Sequence, residues 1–144
     1  MKRRDALKNS AAVFGMLMAA GLLPQASHAA YNKSAFDAKT VAEVLKALGA
    51  SAPAESKDVT LTAPDIAENG AVVPLGAATT LPNVKQMLVL VEKNPNTLVA
   101  SFAVNDAVEA NFLTRAKLGQ SSDVYAVAIT NDGKAFYAKK EVKV

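Results

Sequence analysis

The feature that most limits the fold of this sequence is a series of short apolar segments, separated by turn-forming residues, from Asp58 to the end. Turn signals recur about every eight to twelve residues, which is the spacing of strands in a β-sandwich. The last two segments flank Asp132-Gly133, a dipeptide that favours the tight turn of a hairpin. Residues 87–91, MLVLV, are apolar at successive positions and predict a central strand buried on both faces.

About seven strands without a strand–helix–strand rhythm predict an all-β fold, an immunoglobulin-like antiparallel β-sandwich over residues 57–144. Residues 30–56 are expected to form a helix and a linker. Within them, residues 34–48 have apolar side chains at spacings of three and four, which predicts one amphipathic helix, capped by Ser34 and ended by Gly49. Such a helix can dock on its own domain or bind a partner, and we favour docking.

The first 29 residues have the organisation of an export signal. Their positive head contains Arg3 and Arg4, and the apolar run at residues 11–23 is shorter than the about 20 residues that span a membrane. The small residues of a signal-peptidase cleavage site end at Ala29, so we predict that residues 1–29 are a signal peptide that is removed. The arginine pair and the residues after it resemble the twin-arginine (Tat) pattern, which predicts export of the folded protein to the periplasm.

Removal of that segment changes what the composition implies. The segment holds four of the 16 basic residues and one of the 13 acidic ones, so twelve of each remain and the charges balance. Balanced charge argues against binding to nucleic acid or to an anionic membrane. The single histidine, His28, is lost with the segment, and the sequence has no cysteine. These absences exclude most transition-metal sites, histidine relays and cysteine nucleophiles, so we predict no catalytic residue, cofactor or metal here.

A few polar groups allow both a chemical role and a simpler one. Asp65 and Glu68 suggest calcium, but the alternating oxygen ligands are lacking and solvated turn carboxylates are expected. Residues 121–123, SSD, suggest a nucleophile without a base, so a polar turn is expected. Lys140 interrupts the alternation of the last strand, and Lys139-Lys140 are expected at a solvated edge that discourages strand aggregation rather than in a binding patch. Arg115 either pairs with a carboxylate or contacts a partner, and both alternatives remain open.

Several segments, taken in order along the chain, resemble one family. They are residues 65–74 (DIAENGAVVP), Asn94-Pro95 after an apolar strand, Thr114-Arg115 in a later strand, and residues 124–138 (VYAVAITNDGKAFYA) before the last strand. Over residues 30–144 the chain is similar to SoxY, the sulfur-carrier subunit of the thiosulfate-oxidising Sox system.

The resemblance implies a periplasmic carrier that is not an enzyme and that forms a heterodimer with SoxZ, which is exported with it. It also implies transient contacts with SoxXA, SoxB and SoxCD. These enzymes act on sulfur that a cysteine holds covalently in a glycine-rich C-terminal arm. The sequence given has no cysteine, and we expect a truncated sequence with the carrier cysteine just beyond Val144, rather than a relative without the thiol. Residues 137–144, YAKKEVKV, would be the strand from which the arm extends.

Two other classes of protein remain open. One is a non-catalytic periplasmic immunoglobulin-like binding domain, and the other is an enzyme that uses serine, lysine and carboxylates alone.

Residues 86–92 and 124–129 have more apolar side chains than a small core requires. Either a partner protein or the helix at residues 34–48 is expected to cover one face of these strands.

Overall fold

The computed structural model describes residues 3–21 and 32–144, which fall into two units, one on each side of the gap. In the first unit, helix α1 spans Arg3–Ala19 and buries none of its residues. The two arginines of the predicted export signal lie at its start, whereas Ala29 lies outside the described residues. Within the described ranges, no helix combines the length and the apolar character needed to cross a membrane.

The second unit is a β-sandwich preceded by two short helices. Its elements are α2 Lys33–Asp37, α3 Val41–Ala47, β1 Ala54–Glu55, β2 Val59–Thr62, β3 Val73–Thr79, β4 Val84–Val91, β5 Leu98–Ala103, β6 Asn111–Ala116, β7 Ser122–Thr130 and β8 Ala135–Val142. The larger sheet has the order β1-β8-β7-β4-β5 and the smaller sheet has the order β2-β3-β6. Every neighbouring pair is antiparallel except β1 and β8. The predicted immunoglobulin-like sandwich with an N-terminal helical segment is confirmed.

Strands β4 and β7 form the centre of the larger sheet, which is buried on both faces. The side chains from Met87 to Val91 have no exposed surface, which confirms the predicted central strand. Alternate side chains of β4 and β7 pack against the smaller sheet in one cluster, whose core includes Met87, Val89, Val91, Val124, Ala126, Ala128, Val73, Leu75 and Ala77. Each valine, leucine or methionine side chain of this set contributes about 1.5–3 kcal/mol when it is withdrawn from water.

The helices cover the other face of the larger sheet. Val44 and Leu45 of α3 join Leu88, Leu90 and Val127 of the sheet in a second buried cluster. The helical segment therefore docks on its own domain, as favoured from the sequence. This face of β4 and β7 is consequently closed to a partner protein, and the alternative that a partner covers it is wrong.

The predicted single helix over residues 34–48 is interrupted. Asn32, rather than Ser34, caps α2, and its Oδ1 accepts a hydrogen bond from Ala35 N at 3.1 Å. A second helix then begins at Thr40, whose Oγ1 accepts from Glu43 N at 3.2 Å. The Glu43 carboxylate in turn accepts from the preceding backbone N–H, that of residue 39, at 2.9 Å. This exchange resembles a capping box, with the return bond going to the residue before the N-cap, and it starts a new helix where the old one ends.

Glycines end α3 and turn the last hairpin as predicted. Gly49 has a φ of 71° just after α3, and Gly133 has a φ of 83° between β7 and β8. Positive φ is readily available only to glycine, so both positions need that residue. The predicted linker differs from expectation in one respect, because Ala54 and Glu55 form the short parallel strand β1 beside Phe136 and Tyr137.

Replacing Thr40 by alanine should lower the free energy of unfolding by about 1 kcal/mol, because the side-chain oxygen that caps α3 is lost. Chemical denaturation with the circular dichroism signal as readout measures this loss. Thr40→Ser is the matched control, since it keeps the hydroxyl group and should retain most of the stability. An equal loss in both variants would show that the cap does not start α3.

Candidate functional site

The last strand, β8, is held at its end by a segment that precedes β3. Lys143 N donates a hydrogen bond to Asp65 O at 3.0 Å, and Ala67 N donates to Lys143 O at 2.7 Å. These bonds form a parallel bridge centred on Ile66. On its other side, Val142 pairs with β7, and its side chain is fully buried. The end of β8 thus has hydrogen-bonded neighbours on both sides.

Gly70 lies directly against Val144. A Cβ atom at Gly70 would be 2.5 Å from Val144 Cγ1 and 2.8 Å from the Leu118 carbonyl oxygen, so a side chain there has no room. Gly70 O accepts a hydrogen bond from Leu118 N at 2.8 Å, and Val144 N donates to Ser121 Oγ at 3.0 Å. Residues 65–70, called the clamp segment below, therefore fix the backbone of Lys143 and one side of Val144, whose own backbone N–H is bonded to Ser121.

The turn within the clamp segment is a corner. Asn69 O accepts from Val72 N at 3.2 Å, and Asn69 Oδ1 accepts from Ala71 N at 3.0 Å. This side-chain bond is an Asx turn, in which asparagine imitates a backbone turn. Ile66 pairs with Lys143, so the chain crosses the end of β8 before it reaches this turn. The turn then directs the chain into β3.

Asn94 joins two further loops at the same end of the sandwich. Its Nδ2 donates to Lys117 O at 2.7 Å, which links the β4–β5 loop to the β6–β7 loop. Lys93 N donates to Ser122 Oγ at 3.0 Å, which links the β4–β5 loop to the start of β7. The β6–β7 loop also carries Leu118 and Ser121, which bond to the clamp segment and to the end of β8. Three loops thus meet around the last residues.

Lys140 has a structural reason for its place in the strand. It lies on the same side of β8 as Val142, and its Nζ reaches Ala63 O and Asp65 Oδ1, each at 2.8 Å. The hydrogen bond from Lys140, followed by its charge, holds the pKa of the Asp65 carboxyl below its ordinary value. Lys140 is therefore half-buried at the sandwich edge rather than fully solvated there as predicted, since its long stem carries the charge outward.

The other candidate polar residues have structural partners. Ser121 and Ser122 accept the backbone hydrogen bonds described above, and Asp123 lies 3.6 Å from Lys139 Nζ. The polar turn expected at residues 121–123 is limited to Ser121, because Ser122 and Asp123 are the first residues of β7. Within residues 3–21 and 32–144, no group of three or more histidine, cysteine, aspartate or glutamate side chains is placed to hold a metal ion. Sequence analysis missed Gly70 and Ser121 as contacts of Val144, because no local pattern signals them.

Arg115 lies on the outer face of the smaller sheet. It is exposed and faces Pro74 across the β3–β6 pair. No carboxylate of the described residues pairs with it, so the first of its two sequence-based alternatives is wrong. Its side chain borders a cleft of about 700 Å³ that runs between the end of β2 and the outer face of β6.

Comparison with known proteins agrees with this geometry. The family model of "sulfur oxidation protein SoxY" matches residues 44–144. Among solved structures, the sulfur carrier protein SoxY from Chlorobium limicola f thiosulfatophilum is 33% identical, with a TM-score of 0.58. That match covers 64% of this chain and 83% of the other. No curated protein sequence matches the chain.

Two superoxide reductases share the fold alone. The superoxide reductase (neelaredoxin) from Ignicoccus hospitalis is 20% identical, with a TM-score of 0.53, over 60% of this chain and 79% of the other. The putative superoxide reductase from Thermotoga maritima is 15% identical, with a TM-score of 0.52, over 60% and 84%. The family match, by contrast, includes the whole sandwich, the clamp segment and the end of β8. The chain therefore belongs to the SoxY family of sulfur oxidation proteins.

Proposed function

We propose that this protein is the periplasmic sulfur carrier of a Sox system. It presents sulfur intermediates of thiosulfate on a cysteine arm that follows Val144, and it works as a heterodimer with SoxZ. The observation that carries this proposal is the clamp segment, whose bonds to Lys143 and contact with Val144 hold the end of β8 in one place. A mobile arm can be presented reproducibly to several enzymes only if its base is fixed.

The chemistry of such a carrier needs no catalytic group in the sandwich. The thiol sulfur bonds to the outer sulfur of thiosulfate, and one proton and two electrons leave to the haem protein SoxXA. Hydrolysis by SoxB then consumes water and releases sulfate, and SoxCD oxidises the sulfur atom that stays on the cysteine. Glycines beside the cysteine would let the arm enter each active site. Residues 121–123 bond Val144, the β4–β5 loop and Lys139, and these structural roles are consistent with a body that presents and does not catalyse.

Export through the twin-arginine pathway completes the proposal. Arg3 and Arg4 would direct the folded protein to that pathway, with cleavage after Ala29. A pathway that carries folded proteins could also carry a bound SoxZ that has no signal of its own. The arginine pair, together with the family of the sandwich, supports this location.

The carrier role makes a direct prediction about the gene and its product. The reading frame after Val144 should encode a cysteine flanked by glycines. The protein purified with that segment should gain one thiosulfate-derived group when it is incubated with thiosulfate and SoxXA, as measured by intact mass spectrometry. Reductant should remove the group, and the Cys→Ser variant should not gain it. A stop codon directly after Val144 would refute the carrier role in favour of the binding-domain alternative.

The partner proposal predicts a stable complex. Co-expressed with a SoxZ-like protein, this protein should elute as a one-to-one heterodimer in size-exclusion chromatography with light scattering. The outcome that contradicts this is a mixture in which both proteins remain monomeric at micromolar concentration.

If the clamp segment fixes the base of the arm, a side chain at residue 70 should loosen the end of β8. Gly70→Ala places a Cβ atom against Val144 and the Leu118 carbonyl, so the backbone must shift, at a cost of about 1–3 kcal/mol in unfolding free energy. Hydrogen exchange of the Lys143 and Val144 amides should accelerate. Gly119→Ala is the matched control, because a Cβ atom there meets nothing within 4 Å. Equal behaviour of the two variants would mean that the clamp segment does not fix the end of β8.

A further inference from the structure

Two dipeptides of the sequence place a glycine directly after an amide or acid side chain. They are Asn69-Gly70 in the clamp segment and Asp132-Gly133 in the last hairpin. In such a pair the glycine nitrogen can attack the preceding side-chain carbon Cγ, because glycine has no Cβ atom that hinders the approach. A cyclic imide forms and water then opens it. Both pairs have this hazard in their sequence, so the structure determines which of them reacts.

At Asn69-Gly70 the reacting groups are available. Asn69 is exposed, and within residues 3–21 and 32–144 no hydrogen bond occupies the Gly70 N–H or Asn69 Nδ2. Asn69 Oδ1 accepts a hydrogen bond from Ala71 N at 3.0 Å, and the ring that this bond closes contains both Asn69 Cγ and Gly70 N. Its donor also points at the oxygen on which negative charge develops during the attack, which favours the reaction.

At Asp132-Gly133 the same groups are occupied. Gly133 N donates a hydrogen bond to Thr130 O at 3.0 Å, so the attacking nitrogen is engaged. A hydrogen bond from the Thr130 hydroxyl, followed by one from Lys134 N, holds the pKa of the Asp132 carboxyl below its ordinary value. The carboxyl therefore stays ionised near neutral pH, and a carboxylate resists attack by a nucleophile. The hairpin protects its own Asp-Gly pair.

The clamp segment needs the two residues that make its own pair reactive. A Cβ atom at residue 70 would lie 2.5 Å from Val144 Cγ1 and 2.8 Å from Leu118 O, so only glycine fits. Asn69 supplies the side-chain oxygen of the turn that follows. The packing that fixes the end of β8 therefore brings a chemically labile pair with it.

We propose that Asn69 is a deamidation site, at which conversion to isoaspartate releases the end of β8 from the clamp segment. Gly70 N loses its proton and bonds to Asn69 Cγ, and Nδ2 leaves as ammonia. Water then cleaves the imide at Cγ, which gives aspartate, or at the backbone carbonyl, which gives isoaspartate. The reaction consumes water and releases ammonia without oxidation or reduction. It needs no partner and no cargo, so it is independent of the carrier role.

Isoaspartate changes the backbone where the clamp segment can least absorb it. The chain then runs through Cβ and Cγ of residue 69 and is longer by a methylene group. Gly70 cannot keep both its contact with Val144 and its hydrogen bond from Leu118 N, which measures 2.8 Å. Asn69 O, which accepts from Val72 N, becomes part of a free carboxylate. The bonds that hold the end of β8 should therefore weaken.

The first test follows the purified protein during incubation at mildly alkaline pH, with peptide mapping by mass spectrometry and isoaspartate-specific methylation. Asn105 is the internal control, since it is exposed and its Oδ1 accepts from Ala107 N at 2.9 Å in the same kind of turn. Asp106 follows it, and that side chain hinders the attack. Asn69 should convert about tenfold faster than Asn105, which corresponds to about 1.4 kcal/mol in activation free energy. Asp132 should stay unchanged.

The second test measures hydrogen exchange of the Lys143 and Val144 amides, which should accelerate in step with the isoaspartate content. Asn69→Asp is the matched variant. Its carboxylate can accept the same hydrogen bond and has the charge of the product without the longer backbone. Its two amides should exchange as slowly as those of the fresh parent, and equal denaturation midpoints would exclude misfolding. Aged and fresh parent protein can be compared without any variant, so release stays testable if Asn69→Asp folds poorly.

Three outcomes would overturn the proposal. Equal conversion of Asn69 and Asn105, or equally fast isomerisation of Asp132, would refute the site. Isoaspartate at residue 69 without faster exchange at Lys143 and Val144 would refute the release. Exchange in Asn69→Asp as fast as in the aged protein would refute a release caused by the longer backbone, because the charge alone would then open the clamp segment.

Discussion

The hydrogen-bonded pair of β4 and β7 has apolar side chains on both faces, and neither face can be left in water. Leu88 and Leu90 point to one side, and Val89 and Val91 to the other, and all four are fully buried. Two covering layers are therefore needed, and the chain supplies them as the smaller sheet and the helices. Strand β8 pairs with β7, and this pairing places the end of β8 where three loops meet.

The position of β8 explains why the loops at that end are tied together. Loops normally have few tertiary bonds, but here Asn94 and Ser122 bond neighbouring loops, and Gly70 packs on Val144. Lys140 adds an ion pair whose aliphatic stem also covers the edge of the core. A strand at this place could form without these bonds. They remove conformational freedom from its last residues and so fix the direction of the strand end.

Much of the sandwich was predictable because its signals are local. The run of apolar residues at 87–91 identified β4, alternation identified β8, and Asp132-Gly133 identified the last hairpin. The break at Thr40 was visible as a Thr-x-x-Glu capping box, but the apolar spacing around it concealed the signal. Strand β1, the clamp segment and the cleft were not predictable, because each depends on the register between distant segments. Arg115 shows this most clearly, since its lack of a carboxylate partner appears only when β6 is placed beside β3.

The clamp segment and the outer face of the smaller sheet differ in their electrostatics. At the clamp segment, Asp65 and Lys140 neutralise each other, so the end of β8 is fixed by hydrogen bonds and packing rather than by a net charge. On the outer face of β6, Arg115 has no ion-pair partner among residues 32–144, so its charge is compensated only by solvent. Interactions of Arg115 with an anion are therefore open to screening by salt, whereas the backbone bonds at the end of β8 are not.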